Sequence, residues 1–158
     1  MPAASPIVGE FVPDFTSSMT GAGSFALSDF QSRTLVLYFY PKDNTPGCTT
    51  EALHFRDLHP EFAAVNADII GVSRDTIRSH EGFRTKLALP FDLISDPEEI
   101  LCQQFGVMRT KSMYGKQVRG VDRSTFVIDA SGKLVKEWRN VKVPTHVEEV
   151  LEFVKTLV

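Results

Sequence analysis

The chain of 158 residues predicts an α/β fold, a central mixed β-sheet with helices on both faces. Three observations carry this. Short continuous apolar runs recur at Thr34–Tyr40, Ala67–Asp75 and Phe91–Ser95, the pattern of strands buried on both sides. Each is followed by a stretch with helical spacing or helix-start residues, an order that calls for parallel strands joined by helical crossovers. Towards the C-terminus two more strand-like runs flank the turn Ala130–Ser131–Gly132–Lys133, which calls for an antiparallel pair.

The first run, "TLVLYFY", is rich in β-branched and aromatic residues and is stopped by Pro41. From Cys48 onwards Ala52, Phe55 and Phe62 fall on one helical stripe with Leu58 close to it, and Cys48 sits on that stripe in the first turn. Pro60 removes a donor and crowds the preceding turn, which predicts a kink near His59 or an early end. After the strand "ADIIGVSRD" a helix is expected over Thr76–Leu87, and after "FDLIS" another begins with Asp96 as N-cap, Pro97 at its first position and Glu99 at its third, ending at Gly106. Val107–Val121 shows no periodicity and predicts a long loop. "STFVID" and "KLVKEWR" form the hairpin, and Thr145-x-x-Glu148 is a capping-box pattern ahead of Val147, Val150, Leu151, Val154 and Val158 at helical spacing. There is no internal repeat, linker or low-complexity segment, so residues 1–158 read as a single domain.

Composition narrows the function. Lys and Arg number 17 against 20 Asp and Glu, giving a net charge of −3, with no basic run to track a phosphate backbone, so nucleic acid is not an expected partner. No apolar run approaches a membrane span, and the N-terminus lacks a basic start and an apolar signal core, which predicts a soluble cytoplasmic protein. The two cysteines, Cys48 and Cys102, are too few for a disulfide framework and match no zinc spacing. Redox chemistry or packing remains for them.

Cys48 lies in "YPKDNTPGCTTEA", behind Pro46 and Gly47 at the start of a helix, where backbone N–H groups favour negative charge. A free cysteine with a pKa near ~8.5 is mostly thiol at neutral pH, and a value of about 6 would make the thiolate dominant, at roughly 3.4 kcal/mol of preferential stabilisation. The helix N-terminus and the Thr45 hydroxyl would supply part of this, and a cation brought from elsewhere the largest share. Arg123, at the entrance of "RSTFVID", is the candidate cation.

These residues resemble a known family. Pro41, Thr45 and Cys48 fill the peroxiredoxin signature P-x-x-x-T-x-x-C, "RSTFVID" resembles the family's arginine strand, and "GVSRD" and "WRNVKV" follow in the expected order, so that the resemblance covers nearly the whole chain and is similar to the PrxQ, or bacterioferritin comigratory protein, branch. The resemblance implies a thioredoxin-like fold and a thiol peroxidase that reduces hydrogen peroxide and organic hydroperoxides with no metal, haem or flavin cofactor. It implies that Cys48 attacks the O–O bond, that Thr45 hydrogen-bonds the sulfur and the peroxide, that Arg123 stabilises the thiolate and the developing oxyanion, and that Pro41 walls the pocket. Glu51 matches a position that orients the arginine, although an acid in the first turn is also simply favourable for a helix. A monomer or weak dimer is implied.

The chain departs from that branch in its second thiol. The resolving cysteine commonly stands five residues after the first or on the next helix, and Leu53 and approximately Arg84 occupy those places. Cys102, in "EEILCQQFG", reads mainly as buried packing, and less readily as an internal resolving thiol. The favoured cycle uses one cysteine, with the oxidised sulfur reduced by thioredoxin, glutaredoxin or a small thiol. A dithiol oxidoreductase would need C-x-x-C, whereas the stretch reads Cys48–Thr49–Thr50–Glu51. A cysteine acyl-transferase or protease would need a base paired with Cys48, and a non-enzymatic thioredoxin-fold binding module would need no reactive thiol at all. His54, His59, His80 and His146 match no metal or triad spacing and read as structural. Tyr38, Tyr40, Met113 and Tyr114 are candidates for a peroxide entrance, though such residues usually pack.

Overall fold

The computed structural model describes residues 6–21 and 23–158, the side chain of Met113 excepted. Its sheet is built outward from Thr34–Phe39 (β3), whose six residues are all buried. Parallel to it run Ala67–Ser73 (β4) and then Leu93–Ser95 (β5), and antiparallel on its other side run Ser124–Ile128 (β8) and Leu134–Trp138 (β9). Thr16–Met19 (β1) and Gly23–Ala26 (β2) close the far edge, giving seven strands in the order β2-β1-β5-β4-β3-β8-β9. This is the mixed sheet the sequence predicts; the edge hairpin of β1 and β2, with one buried residue in β2, carries too weak an apolar signal to be read.

Two crossovers step the same way across the sheet. Pro46–Ala64 (α1) links β3 to β4 and Ile77–Leu87 (α2) links β4 to β5. Right-handed crossovers in one direction put both helices on one face. His146–Lys155 (α4) joins them there, and Ile100–Gln104 (α3) packs on the other. The alternation of β3 sorts the core accordingly. Val36, Tyr38 and Tyr40 meet Cys48, Phe55, Phe62, Phe83 and Val150, while Leu35, Leu37 and Phe39 meet Phe25, Leu101, Cys102, Phe105 and Phe126.

Four expectations are corrected. Helix α1 does not end early at Pro60 but continues through it to Ala64. The proline is exposed, and the buried Phe55 and Phe62 on either side hold the helix against the sheet despite the lost hydrogen bond. Asp96 does not start a helix at Pro97; Glu99 turns left-handed (φ 63°) and α3 begins at Ile100, yet the Asp96 carboxylate still caps it by accepting from the Leu101 and Cys102 N–H groups at 3.2 and 2.8 Å. The stretch read as a loop is a hairpin of Met108–Met113 (β6) and Lys116–Val121 (β7), turning at Tyr114 and Gly115 with φ of 52° and 77°. Its polar residues on both faces hide the strand period. Thr145 precedes α4 at φ 64° with no side-chain cap, so the capping box does not form. Among the described residues no helix is long and apolar enough to cross a membrane.

Candidate functional site

Strand register brings the candidate residues together. Phe39 pairs with Ser124, so Arg123 stands one step further on, beside Tyr40 at the C-terminal end of β3. Alternation along β8 puts Arg123 on the face of Val127, the face on which α1 packs. The chain leaves β3 through Pro41, turns left-handed at Asn44 (φ 65°), and enters α1 with Thr45 extended as N-cap and Pro46 in the first turn. Cys48 then lies in that first turn, 2% exposed.

Arg123 Nη2 donates to Cys48 Sγ at 3.4 Å, and Nη1 donates to Glu51 Oε1 at 2.6 Å. One planar guanidinium therefore spans the thiol and a fully buried carboxyl, and Arg123 is not the solvated strand end that an isolated arginine would be. Gly47 leaves room for the approach: a Cβ there would lie 3.1 Å from Arg123 Nη2, a tight contact. Burial pushes the Glu51 carboxyl up to about 7, with Arg123 pulling the other way. Burial works against the charge on Arg123, but Glu51 and Cys48 more than offset it and hold the guanidinium above its ordinary value. Glu51 Oε2 has no partner among the described residues.

The Thr45 hydroxyl donates to the Lys42 carbonyl at 2.8 Å, which leaves its oxygen lone pairs as acceptors. Pro41 is half-buried at the start of the same loop. Tyr38 is buried with its hydroxyl unpartnered among the described residues, and burial, then the nearby Glu51 and Cys48, push that phenol well above its ordinary value. Tyr40 donates to Asp43 Oδ1 at 2.7 Å. Tyr114 is 99% exposed at the tip of the β6–β7 hairpin, and the Met113 side chain lies outside the described residues.

The second sulfur is elsewhere. Cys102 is completely buried in the core beneath the face opposite α1, and burial followed by the Asp96 carboxylate pushes its thiol far above the ordinary range. Leu53 is half-buried on α1, and Arg84 is tied to the Phe91 carbonyl at 3.1 Å. His146 is buried against Thr125 Oγ1 (2.8 Å) and pushed down to about 4 by burial and by Arg123. Asp43 is a residue that sequence reasoning missed. It is buried in the loop ahead of Cys48 with His80 Nδ1 at 2.7 Å from its Oδ2; the only trace in the sequence is its place inside the signature.

The model of the AhpC/TSA family matches residues 8–137. Peroxiredoxin Bcp of Bacillus subtilis is 47% identical over 150 residues, 95% of this chain and 96% of the relative, and Peroxiredoxin Bcp of Xanthomonas campestris is 48% identical over 142, 90% and 89%. Among solved structures, a mutant of Xylella fastidiosa PrxQ superposes with a TM-score of 0.92 at 43% identity, covering 98% of both chains. The Xanthomonas campestris bacterioferritin comigratory protein, described for its alkyl peroxide reduction activity, gives 0.86 at 46% over 90% of each. The chain belongs to the AhpC/TSA family, in its PrxQ/Bcp branch of peroxiredoxins, and is a thiol-dependent peroxidase with a thioredoxin-like fold.

Proposed function

We propose that Cys48 is the peroxide-reactive thiol and that it works in a one-cysteine cycle. The observation that carries this is the Arg123 guanidinium shared between Cys48 Sγ and Glu51. The Cys48 thiolate attacks the terminal oxygen of a hydrogen peroxide or organic hydroperoxide, an S–O bond forms as O–O breaks, and the leaving alkoxide or hydroxide takes a proton to depart as alcohol or water. Arg123 neutralises charge as it moves from sulfur to the leaving oxygen. Thr45, with its hydrogen engaged by Lys42, accepts from the peroxide O–H, and Pro41 shields the reacting atoms.

An external thiol, thioredoxin or another, then attacks the sulfenic acid and releases water, and a second thiol frees Cys48 from the mixed disulfide. The placement of Cys102 under the opposite face of the sheet supports this cycle over an internal disulfide. We read residues 1–158 as one cytoplasmic domain acting as a monomer or weak dimer, without nucleic-acid or membrane partners; the net charge of −3 and two free thiols support this. Thioredoxin-coupled peroxide consumption tests the proposal. Cys48→Ser is expected to abolish it and Cys102→Ser to leave it unchanged, and loss in Cys102→Ser would point instead to a two-cysteine cycle.

A further inference from the structure

Outside the cluster of Cys48, Arg123 and Glu51 lies a second buried polar cluster that the chemistry above does not use. His80 of α2 is completely buried and Asp43 is 4% exposed. His80 Nδ1 is 2.7 Å from Asp43 Oδ2 and Nε2 is 2.9 Å from the Ile94 carbonyl of β5, so both ring nitrogens face oxygen. A carbonyl only accepts, so Nε2 carries a hydrogen, and the short contact at Nδ1 then holds a proton of its own between ring and carboxyl. Tyr40 donates to Asp43 Oδ1 at 2.7 Å and Ser79 to Oδ2 at 2.8 Å. From the other side Asp75 Oδ2 accepts the Asp43 backbone N–H at 2.9 Å and the Ser73 hydroxyl at 2.5 Å. Groups of Asp43, Asp75 and His80 lie within 4.8 Å of one another, and these donors already fill them, which makes the cluster a hydrogen-bonded clamp.

What the clamp holds is the loop from Pro41 to Thr45. Lys42 and Asn44 are exposed, Asn44 Oδ1 accepting from Lys86 Nζ at 3.4 Å, and among the described residues the Thr45 hydroxyl bonds only back to Lys42, so Asp43 is the buried anchor of the segment that sets where α1 starts. We propose that His80 is a positioning residue for the peroxidase reaction: through Asp43 it fixes this loop and the first turn of α1, keeping Cys48 Sγ at its distance from Arg123. The inference rests on Cys48 as the reactive thiol. A displacement of about 1 Å at a reacting centre can cost up to ~100-fold in rate.

The test uses the full chain and two amides. His80→Asn puts an amide N–H near the place of Nδ1 and keeps a donor for Asp43, whereas His80→Gln puts it near Nε2 and serves only the Ile94 carbonyl. The readouts are the second-order rate constant for oxidation of Cys48 by hydrogen peroxide and amide hydrogen exchange across residues 43–49. His80→Asn is expected within about threefold of wild type and His80→Gln slower by about tenfold or more, with faster exchange in the loop. Asp43→Ala, a change on a loop, should match His80→Gln, and the double variant should be no slower than either. Equal effects of Asn and Gln, no effect of either, or additive losses in the double variant overturn the proposal. If wild-type Cys48 does not react with peroxide, the reading of the site fails first, and exchange in the same variants still decides whether His80 holds the loop.

Discussion

Arg123 reaches Cys48 Sγ over 3.4 Å, and the buried Glu51 fixes the other end of its fork. Replacing Arg123 by Met should keep the fold and lower the second-order rate with hydrogen peroxide by about 100-fold or more, the usual cost of removing a preorganised charge. Gly47→Ala separates stability from activity. Alanine favours a helix over glycine by about 0.5–1 kcal/mol, so the thermal midpoint should hold or rise, while the new Cβ at 3.1 Å displaces the guanidinium and slows peroxide reduction. Glu51 also imposes a pH dependence on stability. Its folded pKa of about 7 lies above the ordinary 4.5, so its contribution is complete below the unfolded value and is lost as pH rises through about 7. Denaturant unfolding should therefore show wild type losing stability relative to Glu51→Gln between about pH 5 and about pH 8. A constant difference would mean that Glu51 stays ionised throughout.

At the level of elements, what the sequence displayed was the buried strands. β3 and β4 are continuous apolar runs because both faces are covered, and α4 shows its stripe because one face is. What stayed hidden were elements whose burial is slight or whose boundary is set by tertiary contacts. The β6–β7 hairpin is mostly exposed, and the start of α3 depends on Asp96 reaching back from outside the helix. Gly71, read simply as part of a strand, has a specific task. A Cβ there would stand 2.8 Å from Leu93 Cδ2 and 2.9 Å from Tyr38 Cζ, so the glycine makes room for the Tyr38 ring between β3 and α1. Gly71→Ala should destabilise the protein by about 1–3 kcal/mol in denaturant titration, as overpacking does.

For the whole molecule the sheet is a partition. Cys48 belongs to the core under α1, α2 and α4, and Cys102 to the core on the other side, so bridging them would require local unfolding of the helices that carry them. Cys48, Thr45, Pro41, Glu51 and Arg123 were legible as candidates because three of them fill one short signature, Glu51 lies one helical turn beyond it, and Arg123 precedes a strand of distinctive sequence. Asp43 and His80 were not, because their partnership is made by the packing of α2 on the sheet, and no spacing along the chain records it. Peroxide is expected to oxidise Cys48, and no second sulfur of the chain is expected to close on it. The most direct measurement is peptide mass spectrometry after one equivalent of hydrogen peroxide without reductant. One added oxygen on the Cys48 peptide, trapped as sulfenic acid with Cys102 still a free thiol, is the expected result, and an unmodified Cys48 or a disulfide between Cys48 and Cys102 would contradict it.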